Sequence, residues 1–332
     1  MYDTAKQLIS DAKNIIVIQA ENPDGDSLSS ALALEEILGD LGKDVVLYCA
    51  IDMPKYLRYI NGWGRVVKDW PKDRELAIIV DTSSALLLHD ALATTGVTSF
   101  LESHPVVVLD HHAEVESDLP FEHTLINDIP AIAAGQVIYK LATDAGWAIN
   151  AQAAENMFIG IQADSLGLTT QNVDAEAYEA AAALVKLGAK PSEIEGRRRE
   201  YMKKPADILA YKGELISRIE YLLDGRLATV HIPWADIEQY SDRYNPSVLV
   251  LDEMRLVDTV QIAVAIKTYP DGKATGKIRS NIPIGGAVAG YFGGGGHEYA
   301  SGFKVYENYE TIMQELVTAV DKAITDYESS IS

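Results

Sequence analysis

"NIIVIQAENPDGDSLSSALALEEILGDLGKDVVLYCA" spans residues 14–50. Two short apolar runs, "NIIVIQA" (14–20) and "DVVLYCA" (44–50), enclose a segment with apolar residues at helical spacing, "DSLSSALALEEILGDLGK" (26–43). A run of Val, Ile and Leu without polar alternation reads as a strand buried on both faces. The helix between them starts at a residue able to cap it, Asp26 or Ser27, and stops at Gly42-Lys43. Elements in this order point to an α/β layer architecture with a parallel sheet.

The pattern continues outward. "LAIIVD" (76–81) and "PVVVLD" (105–110) repeat the strand signal. Helical spacing recurs over 133–146, 151–163 and 175–188. The fold class expected for 1–188 is therefore α/β, a mostly parallel open sheet with helices on both faces. The stretch "GAKPSEIEGRRREYMKKP" (188–205) is charged, holds two prolines and lacks a core pattern. It reads as a linker, 189–206, with Arg197–Arg199 on a solvated helical face. A smaller α/β domain is expected over 207–328. It begins with a helix near 207–221 and continues through strand-like "RLATVHI" (226–232), "TVQIAVAIK" (259–267) and "ATGKIRSN" (274–281). The glycine-rich "YFGGGGHEYASGF" (291–303) and an amphipathic helix near 309–327 follow.

Composition narrows the function. The 332 residues suit two domains, and 48% hydrophobic with 23% charged residues is ordinary for a soluble globular protein. No apolar run approaches the roughly 18–20 residues of a membrane span. The opening "MYDTAKQLISDAKN" lacks a signal peptide's apolar core. One cysteine, Cys49, excludes an intrachain disulfide and suits a reducing cytoplasm. The formal charge of −21 argues against a grip on long nucleic acid, duplex included, which needs clustered Lys and Arg. A short nucleotide can still bind where a pocket is locally basic or metal-bound.

Acidic residues gather at strand ends. Asp24 and Asp26 follow the first strand, Asp81 ends the third and Asp110 the fourth. Any one of them is most simply a helix cap. Ligands of open parallel sheets bind at the carboxyl ends of strands, and carboxylates converging there repel one another unless a cation lies between them. Paired divalent ions bridged by a carboxylate are a device for phosphoryl hydrolysis. "LDHHAE" (109–114) adds His111 and His112. Adjacent residues on a strand end point to opposite sides, so one can ligate a metal while the other faces substrate. In the second half, Gly293, Gly294, Gly295 and Gly296 allow backbone amides to approach and cradle an anion. His297 adds a donor, and Arg279 can fork onto a phosphate. Tyr291 and Tyr299 can stack on a base or simply pack.

These motifs resemble the DHH phosphoesterase family. The first half matches through "NPDGDSLSSALAL" (22–34), "IIVDTSS" (78–84), "VVVLDHH" (106–112) and "GIQADSLG" (160–167). The second half resembles the family's associated C-terminal domain through "KIRSN" (277–281) and "GGGGHEYASGF" (293–303). Length and domain pairing resemble the short oligoribonuclease and 3′-phosphoadenosine-5′-phosphate phosphatase branch. The resemblance implies two Mn2+ sites, with Mg2+ as the alternative ion. Asp24 would hold the first metal and Asp81 would bridge both. Asp26, His111 and Asp164 would complete the second. His112 would face the substrate phosphate, with Asp110 orienting the histidine pair. The second domain would hold the nucleotide across a cleft from the metals.

One position departs from the family pattern: Ala20 stands where a histidine ligand is usual. Gln19 and Glu21 should point away from that side of the strand, although Glu21 could bend in past the strand end. The reading is a metal-dependent phosphohydrolase of di- or oligoribonucleotides, or of a nucleoside 3′,5′-bisphosphate, acting by in-line attack of a metal-bound hydroxide. Ala20 leaves the first metal weakly held. The alternatives are an impaired nucleotide-binding or sensing protein and a cyclic- or linear-dinucleotide phosphodiesterase. A long-strand exonuclease conflicts with the acidic balance. A homodimer is compatible with the sequence, and no membrane partner is expected.

Overall fold

The four apolar runs of the first half become the parallel strands β1 (Asn14–Ile18), β2 (Asp44–Tyr48), β3 (Leu76–Val80) and β4 (Val106–Asp110), joined by a fifth parallel strand, β5 (Thr124–Asn127). Their order across the sheet is β2-β1-β3-β4-β5. From β1 the chain builds β2 on one side and then returns to build β3 on the other. Loops leaving β1 and β3 therefore diverge, and a crevice opens at their carboxyl ends. The computed structural model describes residues 2–112, 117–241, 244–296 and 298–331. They divide into two compact units, 1–203 and 204–332. Among the described residues no helix is long and apolar enough to cross a membrane.

Alternate strand residues of the first unit feed two cores. Ile15, Val17, Ile78, Val80, Val107 and Leu109 share one with the helices Gly25–Asp40, Ala134–Ala145 and Ala151–Asp164. Ile16, Ile18, Ile79 and Val108 share the other with Leu88, Val97 and Leu101. Covering both faces is what the unbroken apolar runs require. The sheet also has β5, which the apolar pattern did not reveal because only Ile126 of its four residues is buried.

The helix after β1, Gly25–Asp40, starts earlier than its sequence signal suggests. Asp24 is the cap, not Asp26 or Ser27, and its Oδ1 accepts the amides of Asp26 and Ser27 at 3.0 Å each. The shift places Asp26 inside the first turn, where it is buried.

The second unit holds a mixed sheet ordered β10-β11-β9-β8-β7-β6. Its strands are β6 (Glu220–Leu222), β7 (Leu227–Ile232), β8 (Ile262–Thr268), β9 (Ala274–Ser280), β10 (Gly295–Gly296) and β11 (Ala300–Val305). Only β7 and β8 pair in parallel. Strand alternation again divides the core. Ile262, Val264 and Ile266 pack with Ile312, Leu316 and Val320 of the last helix, Tyr309–Ile331. Ala263 and Ala265 face the other way, toward Leu249, Val250 and Met254.

The stretch read as a linker is divided in the structure. Pro191–Tyr201 is a helix of the first unit, and the boundary falls after Lys203. Ile194 is 3% exposed and belongs to the first unit's core. Arg197 is not on a solvated face; its Nη2 pairs with Glu155 at 2.5 Å. One buried apolar residue in eleven anchors this helix, too sparse a signal for a periodicity argument. Ile194→Ala is expected to cost about 2–4 kcal/mol, as for a core truncation. Urea unfolding of the first unit measures it, and a change below about 0.5 kcal/mol would mark the helix as a solvated connector.

Candidate metal centre

Four side chains from different elements converge at the crevice. Asp26 comes from the first turn after β1, Asp81 from the end of β3, His111 from just past β4, and Asp164 from the last residue of the helix Ala151–Asp164. One donor atom of each lies within 4.8 Å of all the others. His111 Nε2 is 3.1 Å from Asp164 Oδ2, 3.4 Å from Asp81 Oδ1 and 3.7 Å from Asp26 Oδ2. Its Nδ1 contacts the Ala131 carbonyl at 3.3 Å. A proton donated there leaves the Nε2 lone pair aimed at the carboxylates, the orientation a metal ligand needs.

The electrostatics call for a cation. Burial first, then the Asp164 charge, raise Asp26 to about 7. Burial and the neighbouring Asp26 hold Asp81 well above the ordinary carboxyl range. Burial works against a charge on His111, yet the carboxylates of Asp164 and Asp81 outweigh it and push its pKa up to about 11. Among the described residues no Lys or Arg forms an ion pair with these carboxylates. Asp81 Oδ1 and His111 Nε2 are buried without a well-formed hydrogen bond. Hard oxygen donors, one imidazole and two unsatisfied buried atoms fit a divalent cation.

The remaining expected residues take distinct places. Asp24 lies at the rim, outside the group of four, with one oxygen committed to the helix cap. Burial and Asp164 raise its pKa. The two histidines do not point to opposite sides. The strand ends at Asp110, pleated alternation ends with it, and the rings lie 4.5 Å apart at 41°. Asp110 Oδ1 accepts the His111 amide at 2.9 Å and His112 Nδ1 at 2.7 Å. This hydrogen bond is the main cause of the raised pKa of His112. Ala20 is buried and offers no ligand. Glu21 turns to accept the Asp90 amide and does not replace it. Gln19 is buried as well, with both amide atoms unpartnered.

The glycine stretch differs from the expected row of free amides. Gly293 N–H donates to the Gly290 carbonyl and Gly294 N–H to that of Ala289, closing the helix Gly285–Tyr291. Gly295 and Gly296 pair with β11. A Cβ on Gly294 would lie 2.2 Å from the Gly302 carbonyl oxygen, so close backbone approach explains this glycine. His297 lies outside the described residues. Arg279 is half-buried on β9, and Tyr291 and Tyr299 are exposed.

Two supports of the centre escape a reading of ligand types. Asp26 is fixed by three donors: Ser30 Oγ at 2.9 Å and Gly135 N at 3.0 Å to Oδ1, and Ala134 N at 2.5 Å to Oδ2. The two amides begin the helix Ala134–Ala145, so its dipole also favours the carboxylate. A Cβ on Gly160 would sit 2.2 Å from Asp26 Oδ1. Gly160 opens the quoted motif "GIQADSLG", and that was the available signal. Asp81 has φ of 63°, a left-handed backbone that sequence alone does not announce. Gly160→Ala is expected to lower divalent-cation affinity by about tenfold or more, the scale of a displaced supporting group. Calorimetric titration checks this, with Gly196→Ala as control because a Cβ there meets nothing within 4 Å.

The chain is 26% identical to the bifunctional oligoribonuclease and PAP phosphatase NrnA of Thermus thermophilus over 286 residues, 85% of this chain and 81% of the relative. An exopolyphosphatase-related protein of Bacteroides fragilis shares the fold with a TM-score of 0.83 at 19% identity, covering 98% of this chain and 96% of that one. The exonuclease RecJ bound to manganese aligns with a TM-score of 0.52 at 16% identity, covering 97% and 94%. Residues 14–161 match the DHH family, N-terminal domain, a span that includes the crevice ligands up to His111 and the Asp110-His111-His112 run itself. That match covers most of the first unit, which is similar to the DHH family's N-terminal domain.

Proposed function

We propose that this chain is a metal-dependent phosphohydrolase of short nucleotides, either di- or oligoribonucleotides or a nucleoside 3′,5′-bisphosphate. The observation that carries the reading is the buried group Asp26, Asp81, His111 and Asp164, with two donor atoms left unsatisfied. The likeness to NrnA over most of the chain supports the substrate class. Mn2+ is the ion we favour. A single buried thiol, Cys49, suits a reducing cytoplasmic setting.

Bound divalent ions would supply positive charge to the phosphate oxygens and make an attacking water more acidic. The chain's own residues do the rest. Asp26, Asp81, His111 and Asp164 would hold the ion, with Asp24 at the rim. Asp110 anchors His112 through Nδ1, leaving Nε2 as the donor to a phosphate oxygen where charge develops. Arg279 is the phosphate anchor in the second unit. A second reading rests on Ala20: without an imidazole there, the chain binds nucleotides with little or no turnover.

Release of mononucleotide from the dinucleotide pApA, measured over rising Mn2+, tests both. The hydrolase reading expects turnover that Asp81→Asn lowers by about 100-fold or more and that Ala20→His raises. Absence of turnover at every Mn2+ level, with turnover restored in Ala20→His, would establish the binding protein instead.

A further inference from the structure

From the end of β5 into the helix Ala134–Ala145 the chain reads "NDIPAIAAG" (127–135). β5 itself is a poor strand. It lies at the sheet edge, buries Ile126 and leaves Leu125 exposed. Burial of apolar surface therefore gives little reason for this path. Its polar contacts give a stronger one. The Asp128 amide donates to the Asp110 carbonyl at 3.1 Å. The Ala131 carbonyl lies 3.3 Å from His111 Nδ1. Asn127 Nδ2 donates to the His112 carbonyl at 2.9 Å. Further on, the amides of Ala134 and Gly135 reach Asp26. This one stretch bonds to Asp26 and to each member of the Asp110-His111-His112 run.

Of these contacts, that of Asn127 alone depends on a side chain of the stretch; the others use its backbone amides or a backbone carbonyl. It acts where the sheet has stopped acting. β4 ends at Asp110, so no ladder bond holds His112. The His112 amide and ring both return to Asp110 Oδ1, at 3.3 Å and 2.7 Å. Those bonds tether the residue at one end and leave its carbonyl free to swing. The register sets Asn127 beside Asp110, within reach of that carbonyl. The amide is used on one side only. Asn127 Oδ1 is buried and, among the described residues, has no hydrogen-bond partner. An asparagine that merely completes a core would satisfy both ends of its amide. An unmet local rule of this kind belongs to functional sites.

We propose that Asn127 is a positioning residue of the centre: by holding the His112 carbonyl it fixes the imidazole toward the phosphate, while the backbone contacts of the same stretch serve the ligands Asp26 and His111. The inference rests on the role given to His112 in the hydrolase reading and adds to it the residue that sets the ring. It separates two duties of one segment, since losing the Asn127 amide releases His112 and leaves the supports of the metal ligands in place.

Two measurements on the full chain test this in Asn127→Ala. The first needs no turnover: heteronuclear relaxation of the histidine ring Cε1–H groups, with the His112 signal assigned by its loss in His112→Ala. The order parameter of the His112 ring is expected to fall below the rigid value of about 0.85 while that of His111 holds. Asn127→Asp keeps the shape without the donor and is expected to give the same result. The second is turnover of pApA at saturating Mn2+. kcat is expected to fall about three- to tenfold, the worth of one hydrogen bond, with KM and the Mn2+ requirement unchanged. In a His112→Ala background the same substitution is expected to cost no further rate, because nothing remains to be positioned. A His112 ring as ordered in both variants as in the unaltered chain overturns the inference. So does an unchanged kcat, or a rate loss of equal size with and without His112. Absence of turnover by the unaltered chain at every Mn2+ level overturns the hydrolase reading instead, and the ring measurement then decides whether Asn127 sets His112.

Discussion

Mutual repulsion among buried carboxylates is the constraint on which the first unit turns. Asp26, Asp81 and Asp164 are brought together at the crevice with, among the described residues, His111 between them. Such a group is unfavourable unless protons or a cation neutralise it. The fold holds it against that repulsion through strong local interactions. The helix beginning at Ala134 directs two amides at Asp26, and the strained backbone at Asp81 turns its side chain inward. Strain of this kind persists where the surrounding structure over-determines it. The switch between β1 and β3 supplies the space, and the packed helices supply the rigidity.

Glycine contributes to the two units in different ways. Gly160 serves electrostatics, since any side chain at that point would displace the Asp26 carboxylate. Gly294 serves packing, since a side chain would strike the backbone of β11. Both stand in glycine-bearing motifs of the sequence, yet only Gly160 lies at the crevice carboxylates. A glycine-rich run therefore does not by itself announce an anion cradle. Where its amides go decides the matter, and those of Gly293 and Gly294 go to helix carbonyls.

Charge is unevenly distributed as well. The net charge of −21 suits a chain that does not track long phosphate backbones. Against that background the cations Lys267 of β8 and Lys277 and Arg279 of β9 stand out because they are half-buried and close to one another. Some lysines elsewhere find carboxylate partners, as Lys6 does in Asp144 and Lys140 in Glu176, and Lys43 bonds the carbonyls of Ser10 and Ala12.

Much of the fold was legible in the residues themselves. Unbroken apolar runs determined β1 to β4, because a strand buried on both faces has no polar side to show. Aspartates and histidines at strand ends marked Asp26, Asp81 and His111 as candidate ligands, while Asp164, at a helix end, was expected only from the family resemblance. Four features were decided only in three dimensions. The short edge strand β5 and the helix Pro191–Tyr201 bury one residue each, too few to leave a period. The two histidine rings came to lie side by side because the strand ends at Asp110, and the loop beyond obeys no alternation. The cationic patch depends on strand register, which pairs Ala265 with Lys277 across two different strands. Local pattern determines what each segment is. Which side chains meet is a matter of long-range packing, because contacts between distant segments are not encoded in the spacing of either one.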